Sequence, residues 1–313
     1  MVVRGKVTIV GAGFVGATAA QRIAESNLAH VVMVDIPQKE GPTKGKALDM
    51  LESAPLMGFD SHIIGTSDYK DTSDSDVVVI TAGMPRKPGM TREDLIATNT
   101  SIIKSVIEPV VKNSPKAILI VVTNPLDAMV YAAYKLSGFP RERVIGQSGA
   151  LDSTRFRSFI ALELGVSMQD VQALVIGGHT DVGMVPLASH ASVAGIPLAQ
   201  LLSTQQIEKL IERTRKGGTE IVELLGEGSA YYAPSAGVTQ MVEAILLDQK
   251  RIIPSAVYLQ GEYSVKDLFL CVPVILGASG MEKVIELKLP LNEQEMFKKS
   301  AELVRQTVGQ VRL

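Results

Sequence analysis

Gly11-Ala12-Gly13-Phe14-Val15-Gly16 stands directly after the β-branched run Lys6–Val10 and opens a segment, Phe14–Ser26, whose apolar residues recur at helical spacing. A strand, a glycine-rich turn and a helix are the expected order. In that setting Gly11 permits the tight turn, Gly13 lets a pyrophosphate approach the backbone, and Gly16 lets helix and strand pack closely, with the helix N-terminus facing the anion. The glycine spacing alone also describes a strand-to-helix turn without a ligand. Asp35 narrows the reading. It ends the next β-branched run, Val31–Asp35, about 20 residues beyond the glycines, where a carboxylate accepts from both ribose hydroxyls of an adenosine and repels a 2′-phosphate. The pattern therefore points to NAD rather than NADP. It also accounts for the run Val7–Ala20 behind Arg4 and Lys6, which superficially looks like a secretory leader.

Working outward, the runs His62–Gly65, Asp76–Thr81, Ala117–Thr123 and Val144–Gly146 alternate with helical patterns over Lys44–Met57, Arg92–Lys112 and Asp127–Ser137. The strand candidates are almost continuously apolar, as parallel strands covered on both faces must be. Residues 1–145 are thus expected to form an α/β domain of the Rossmann type, a doubly wound parallel sheet. Residues 146–313 read as an α+β substrate domain. There the pattern predicts helices over Leu151–Leu164, Thr204–Leu225 and Gly237–Asp248. Strands are expected at Val171–Gly177, Ile253–Gly261, Val272–Leu276 and Val284–Leu287, and an amphipathic helix over Asn292–Arg312. Neither a repeat nor a low-complexity linker divides the halves, so they are expected to pack together.

Composition removes whole classes of function. Of 313 residues, 46% are hydrophobic and 20% charged, which excludes disordered, collagen-like and coiled-coil chains. With 31 basic and 33 acidic residues the formal net charge is −2, far from a nucleic-acid footprint. An anionic ligand must be held by a local site. The lone cysteine, Cys271, lies in the apolar run Leu270–Val274 and cannot form an internal disulfide; core packing and a reducing, cytoplasmic compartment are expected. No apolar stretch approaches the ~18 residues of a membrane span, and no metal-ligand cluster is visible.

Ile9-Val10-Gly11-Ala12-Gly13, Ala82-Gly83-Met84-Pro85-Arg86-Lys87-Pro88-Gly89-Met90-Thr91-Arg92, Thr123-Asn124-Pro125, Leu151-Asp152-Ser153-Thr154-Arg155 and Gly177-Gly178-His179 resemble, in order, the successive motifs of the lactate/malate dehydrogenase family. The likeness spans essentially the whole chain and is greatest to the lactate-dehydrogenase-like malate dehydrogenases. The resemblance implies NAD-dependent hydride transfer between malate and oxaloacetate, a place in the tricarboxylic acid cycle, and a homodimer or homotetramer. It implies His179 as the base for the hydroxyl proton, Asp152 as the carboxylate orienting it, and Arg155 as the clamp on the substrate C1 carboxylate. Arg92 would polarise the C2 oxygen, and Arg86 would read the far end of the substrate. Asn124 would bind the substrate oxygen or position the nicotinamide. Asn99 and Asn124 join Gly11, Gly13, Gly16 and Asp35 as cofactor-binding residues.

The chemistry suits those roles. Histidine titrates in the useful range, and a guanidinium grips a carboxylate through two parallel hydrogen bonds. By residue type alone, however, Asp152 and Arg155 also describe a surface i,i+3 ion pair, His179 a polar loop histidine, and Asn124-Pro125 a turn. Arg86 and Arg92 flank a Gly/Pro-bearing loop able to close over a substrate and exclude water. A charged Arg86 calls for a second carboxylate, because against pyruvate's methyl it would be left unpaired; this selects oxaloacetate and malate. The alternatives are a dehydrogenase for lactate or another 2-hydroxy acid, and a non-catalytic dinucleotide-sensing module. Arg92, Asp152, Arg155 and His179 together argue against the latter. The chain departs from the family pattern after His179, where Thr180 replaces glycine and one more residue precedes Met184-Val185-Pro186. The helix bearing Ala47, Leu48, Met50, Leu51 and Ala54 is expected to face another subunit.

Overall fold

The computed structural model describes residues 4–85 and 89–313. Six strands, β1 (Gly5–Val10), β2 (Ala29–Val34), β3 (Ile63–Thr66), β4 (Val77–Ile80), β5 (Ile118–Val121) and β6 (Val144–Gly146), lie in the order 3-2-1-4-5-6, every neighbour parallel. The connecting helices are α1 (Phe14–Glu25), α2 (Glu40–Glu52), the short α3 (Ala54–Met57), α4 (Arg92–Asn113) and α5 (Leu126–Ser137). Alternate strand residues feed two cores. Val7, Ile9, Val31, Met33, Val77 and Val79 pack on one side with Ala19, Ala20 and Ile23 of α1. Val10, Val34, Val78 and Ile80 pack on the other with Ile96, Ile103 and Ile107 of α4 and Met129 of α5. Each such Val or Ile stabilises the fold by roughly 1.5–3 kcal/mol through burial, which is why the strands read as unbroken apolar runs.

The rest of the chain forms α6 (Gly149–Leu164), β7 (Val171–Gln172), β8 (Val175–Gly177), β9 (Met184–Pro186), β10 (Ser192–Val193), β11 (Ile196–Pro197), α7 (Leu198–Leu201), α8 (Thr204–Leu225), α9 (Tyr232–Leu246), β12 (Arg251–Gln260), β13 (Lys266–Gly277), β14 (Gly280–Val284) and α10 (Leu291–Val308). The β12–β13 hairpin joins the halves. Ala256 pairs with Gly146 on one side and Cys271 with Gly177 on the other, both antiparallel, so one sheet continues from β3 to β9. Cys271 is buried there, and burial pushes its thiol up to about 12.

Several elements differ from the sequence expectation. The strand expected over Val171–Gly177 is two: β7 pairs with β10 in a separate small sheet, whereas β8 pairs with β9 and β13. The strand expected at Val272–Leu276 begins at Lys266, since its first two residues are polar and exposed. The last expected strand, Val284–Leu287, is instead β14, ending at Val284. Strands β9, β10 and β11 are only two or three residues long, too short to show a period.

The register aligns the functional end. Val10 is level with Val34 and Ile80, and Ile80 with Val121. Gly11, Asp35, Thr81 and Val122 therefore leave the sheet side by side at its carboxyl edge. β1 lies between β2 and β4, where the strand order reverses and a crevice opens for a ligand.

Candidate active site

At that crevice the three glycines differ in what surrounds them. Gly11 has φ +99°, and a Cβ there would meet Ala82 N at 2.7 Å. At Gly16 a Cβ would fall 2.0 Å from Gly11 O and 2.8 Å from Thr81 Oγ1, so α1 can sit this close to β1 only with glycine. Above Gly13 nothing lies within 4 Å. Gly13 is also the N-cap of α1 and supplies no side-chain cap, which leaves the first N–H groups of the helix for an anion. Asp35 Oδ2 accepts from the Ala12 N–H at 2.9 Å and Oδ1 from the Ile36 N–H at 2.8 Å. Each oxygen retains a lone pair for a ribose hydroxyl. Lys46 of α2 donates to Ala12 O at 2.6 Å and brings positive charge to the same turn. The donor set fits a dinucleotide.

The second cluster is built on α6 and the turn after β8. His179 Nδ1 and Asp152 Oδ2 are 2.8 Å apart, and Arg155 Nη1 donates to Asp152 Oδ1 at 3.2 Å. The i,i+3 spacing puts Asp152 and Arg155 on one helix face, and that face is inside: Asp152 is 2% exposed and the Arg155 side chain 11%. The pair is buried rather than superficial. Gly217 and Gly218 of α8 make room for the guanidinium, a Cβ at Gly217 falling 3.0 Å from Arg155 Cδ. Arg155 Nε is buried with no partner among the described residues. Burial opposes the His179 imidazolium, but the charge and hydrogen bond of Asp152, then the charge of Asp127, outweigh both it and Arg155, so its pKa is raised above the ordinary value.

Arg92 opens α4, whose N-cap Thr91 exchanges hydrogen bonds with Asp94 in a capping box, a device worth about 1 kcal/mol. Its Nη2 donates to Thr307 Oγ1 of α10 at 3.0 Å. Asn99 is fully buried. Its Nδ2 donates to Asn124 O at 2.6 Å and Met84 O at 3.1 Å, and its Oδ1 accepts from the Met84 N–H at 2.8 Å. It thus ties Met84 to the exposed Asn124. Arg86 itself, with Lys87 and Pro88, lies outside the described residues. The departure after His179 is a closed turn: Thr180 O accepts from the Gly183 and Met184 N–H groups, and Thr180 Oγ1 accepts from Gly183 N–H. The additional residue is absorbed before β9.

Two family models cover the chain almost end to end. "Lactate/malate dehydrogenase, NAD binding domain" matches residues 5–146, and "lactate/malate dehydrogenase, alpha/beta C-terminal domain" matches residues 149–312. The chain belongs to the lactate/malate dehydrogenase family. Over 302 residues it is 60% identical to a malate dehydrogenase of Bacillus cereus, with 96% of each chain covered. A solved malate dehydrogenase from Salinibacter ruber is 53% identical, with 97% of both chains covered and a TM-score of 0.93. A lactate dehydrogenase from Cryptosporidium parvum, solved with lactic acid and the dinucleotide, is 41% identical, with 99% of both chains covered and a TM-score of 0.95. Fold alone does not separate the two activities.

In this dehydrogenase-family chain several residues around the cluster escaped the sequence reading. Asp127, in the first turn of α5, accepts from the His179 main-chain N–H at 3.0 Å, yet at the head of a helix an acidic residue is unremarkable. Ser300 of α10 accepts from the Gly178 N–H at 2.8 Å and donates to Gly183 O at 2.7 Å, fixing both sides of the histidine turn. It lies more than a hundred residues from either partner, beyond any local pattern. Thr307 and Lys46 carry no motif signal. Among the described residues no group of three or more His, Cys, Asp or Glu could hold a metal, and no helix is long and apolar enough to cross a membrane.

Proposed function

We propose that the chain is an NAD-dependent malate dehydrogenase interconverting malate and oxaloacetate, with residues 1–145 binding the cofactor and residues 146–313 carrying the substrate site. The observation that carries the dehydrogenase reading is the buried Asp152 carboxylate shared between His179 and Arg155, and the 60% identity to a malate dehydrogenase over 302 residues supports malate over lactate. The Asp152 carboxylate joins a proton carrier to a carboxylate clamp.

The cofactor supplies the hydride when bound at the glycine turn; every other task falls to side chains. Arg155, braced by Asp152 and lodged against Gly217 and Gly218, grips the C1 carboxylate with the guanidinium edge that Asp152 leaves free. With His179 Nδ1 engaged by Asp152, Nε2 faces the C2 oxygen. During reduction the imidazolium donates its proton there, and during oxidation the neutral ring takes it back. Asp152 stabilises the imidazolium. Arg92 polarises the C2 oxygen, Asn124 contacts that oxygen or the nicotinamide, Asn99 positions the Asn124 backbone, and Arg86 pairs with the second carboxylate of oxaloacetate.

A cytoplasmic setting, a place in the tricarboxylic acid cycle, and assembly as a homodimer or homotetramer belong to the same proposal. The last is supported by Leu48 of α2 and by Leu56 and Met57 of α3, which are 56%, 90% and 58% exposed, whereas Ala47, Met50 and Ala54 pack on the core. Light scattering at micromolar concentration would show the assembly. The test of the reaction is consumption of NADH or NADPH with oxaloacetate. Rapid loss of NADH absorbance, abolished by His179→Gln, is expected, whereas no turnover or a preference for NADPH would contradict the reading.

A further inference from the structure

Asp127 is a second buried carboxylate beside His179, outside the substrate and cofactor roles assigned above. It is 4% exposed. Oδ2 accepts from the His179 main-chain N–H at 3.0 Å, and Oδ1 is buried without a partner among the described residues. Gly178 lets α10 close over the histidine turn, since a Cβ there would stand 2.5 Å from Val304 Cγ2, while Asp127 Oδ2 lies at 3.4 Å, an ordinary contact distance. The charged and titratable groups facing this corner are Asp152 and Arg155 on α6, Arg92 at the head of α4 and the Cys271 thiol on β13. The α10 residues that touch it, Ser300 and Val304, are uncharged.

A helix-dipole role at the start of α5 needs neither burial nor contact with His179. An amide could accept the same N–H bond. Burying a carboxylate there carries a desolvation cost that an amide avoids, and this burial raises the Asp127 carboxyl to about 6 even though His179 and Arg92 oppose the shift. Whatever Asp127 does that asparagine could not do must therefore come from its charge. We propose that Asp127 is a positioning residue for this reaction, its carboxylate pinning the His179 main chain and acting with Asp152 to favour the protonated imidazole. This inference rests on the dehydrogenase reading of the site.

The test is the pH titration of the His179 imidazole by NMR in the full-length protein, its signal identified by its absence in His179→Gln. Asp127→Asn keeps the shape and the acceptor but removes the charge, and the midpoint is expected to fall by about half a pH unit or more. The high-pH decline of kcat/KM for oxaloacetate should move down with it. An unmoved midpoint in Asp127→Asn would overturn the proposal. Should that variant not fold, Asp127→Ser removes the same charge and is judged by the same midpoint. The titration needs no turnover, so an inactive wild-type protein would count against the dehydrogenase reading while the midpoint still decides the role of Asp127.

Discussion

The Asp152 carboxylate meets His179 Nδ1 at 2.8 Å with one oxygen and accepts from Arg155 with the other. The proposed substrate clamp and the proposed proton carrier are therefore held by a single buried group. Asp152→Asn keeps the volume but removes the charge from both contacts. Its kcat for oxaloacetate reduction is expected to fall on the order of 10²- to 10⁴-fold. NADH affinity, read by fluorescence titration, should be largely kept. Turnover close to wild type would contradict the role.

The same pair sets the pH dependence. His179 has its pKa raised above 6.5, because Asp152 and Asp127 outweigh burial and Arg155. Reduction needs the imidazolium, so kcat/KM for oxaloacetate should be highest below the folded-state midpoint and fall as pH rises through it. Malate oxidation needs the neutral ring and should rise over the same interval. The stability that the ionic contact contributes follows the first curve, being complete below the unfolded-state pKa and lost as pH rises through the folded one. Opposed pH profiles in the two directions are the check. A reductive rate rising with pH across this interval would refute the assignment.

The glycines separate fold from cofactor. At Gly16 a methyl group has no space, standing 2.0 Å from Gly11 O, so Gly16→Ala must push α1 off the sheet. A loss of at least 1–3 kcal/mol is expected in urea unfolding. Gly13 has φ −72° and open space above it, so Gly13→Ala should leave stability unchanged while weakening NADH binding roughly 10-fold or more by occupying the anion's approach. Unaltered NADH affinity in Gly13→Ala would sink this placement of the pyrophosphate.

Thr307 of α10 accepts from Arg92 Nη2 and donates to Leu303 O. Thr307→Val keeps the shape but removes the acceptor that holds Arg92. A drop in kcat/KM for oxaloacetate of about 10- to 100-fold is expected, since small misplacements of a catalytic group carry penalties of that size. NADH affinity should not move. Wild-type kinetics in Thr307→Val would show that Arg92 is placed by other contacts.

The parts legible in the sequence were those whose cause is local. Continuous apolar runs follow from two-sided burial of parallel strands, and the glycine turn with Asp35 follows from the needs of a β-α-β unit, so the strand order of the NAD-binding half was legible, although the helix expected over Lys44–Met57 is two, α2 and α3. Arg155 shows the limit. On spacing alone it also described a surface ion pair, and only the packing of α8 through Gly217 and Gly218 reveals that it is enclosed. Ser300 and Thr307 meet their partners across long stretches of chain. Asp127 carries the same local signal as any acidic residue at a helix start. Short strands such as β9 exist because of their neighbours in the sheet rather than through their own pattern.

In the proposed reaction the distal group of the substrate decides which 2-oxo acid is reduced. On the proposed roles Arg155, Arg92 and His179 meet the C1 carboxylate and C2 carbonyl that oxaloacetate and pyruvate share, which leaves discrimination to Arg86. The most direct measurement is the ratio of kcat/KM for oxaloacetate to that for pyruvate, both with NADH, in wild type and in Arg86→Gln. Wild type is predicted to favour oxaloacetate by a factor on the order of 10³ or more, since a site built for a charged partner rejects a substrate lacking it, and Arg86→Gln should narrow the ratio from both sides. A wild-type preference for pyruvate, or a ratio untouched by the substitution, would contradict the account.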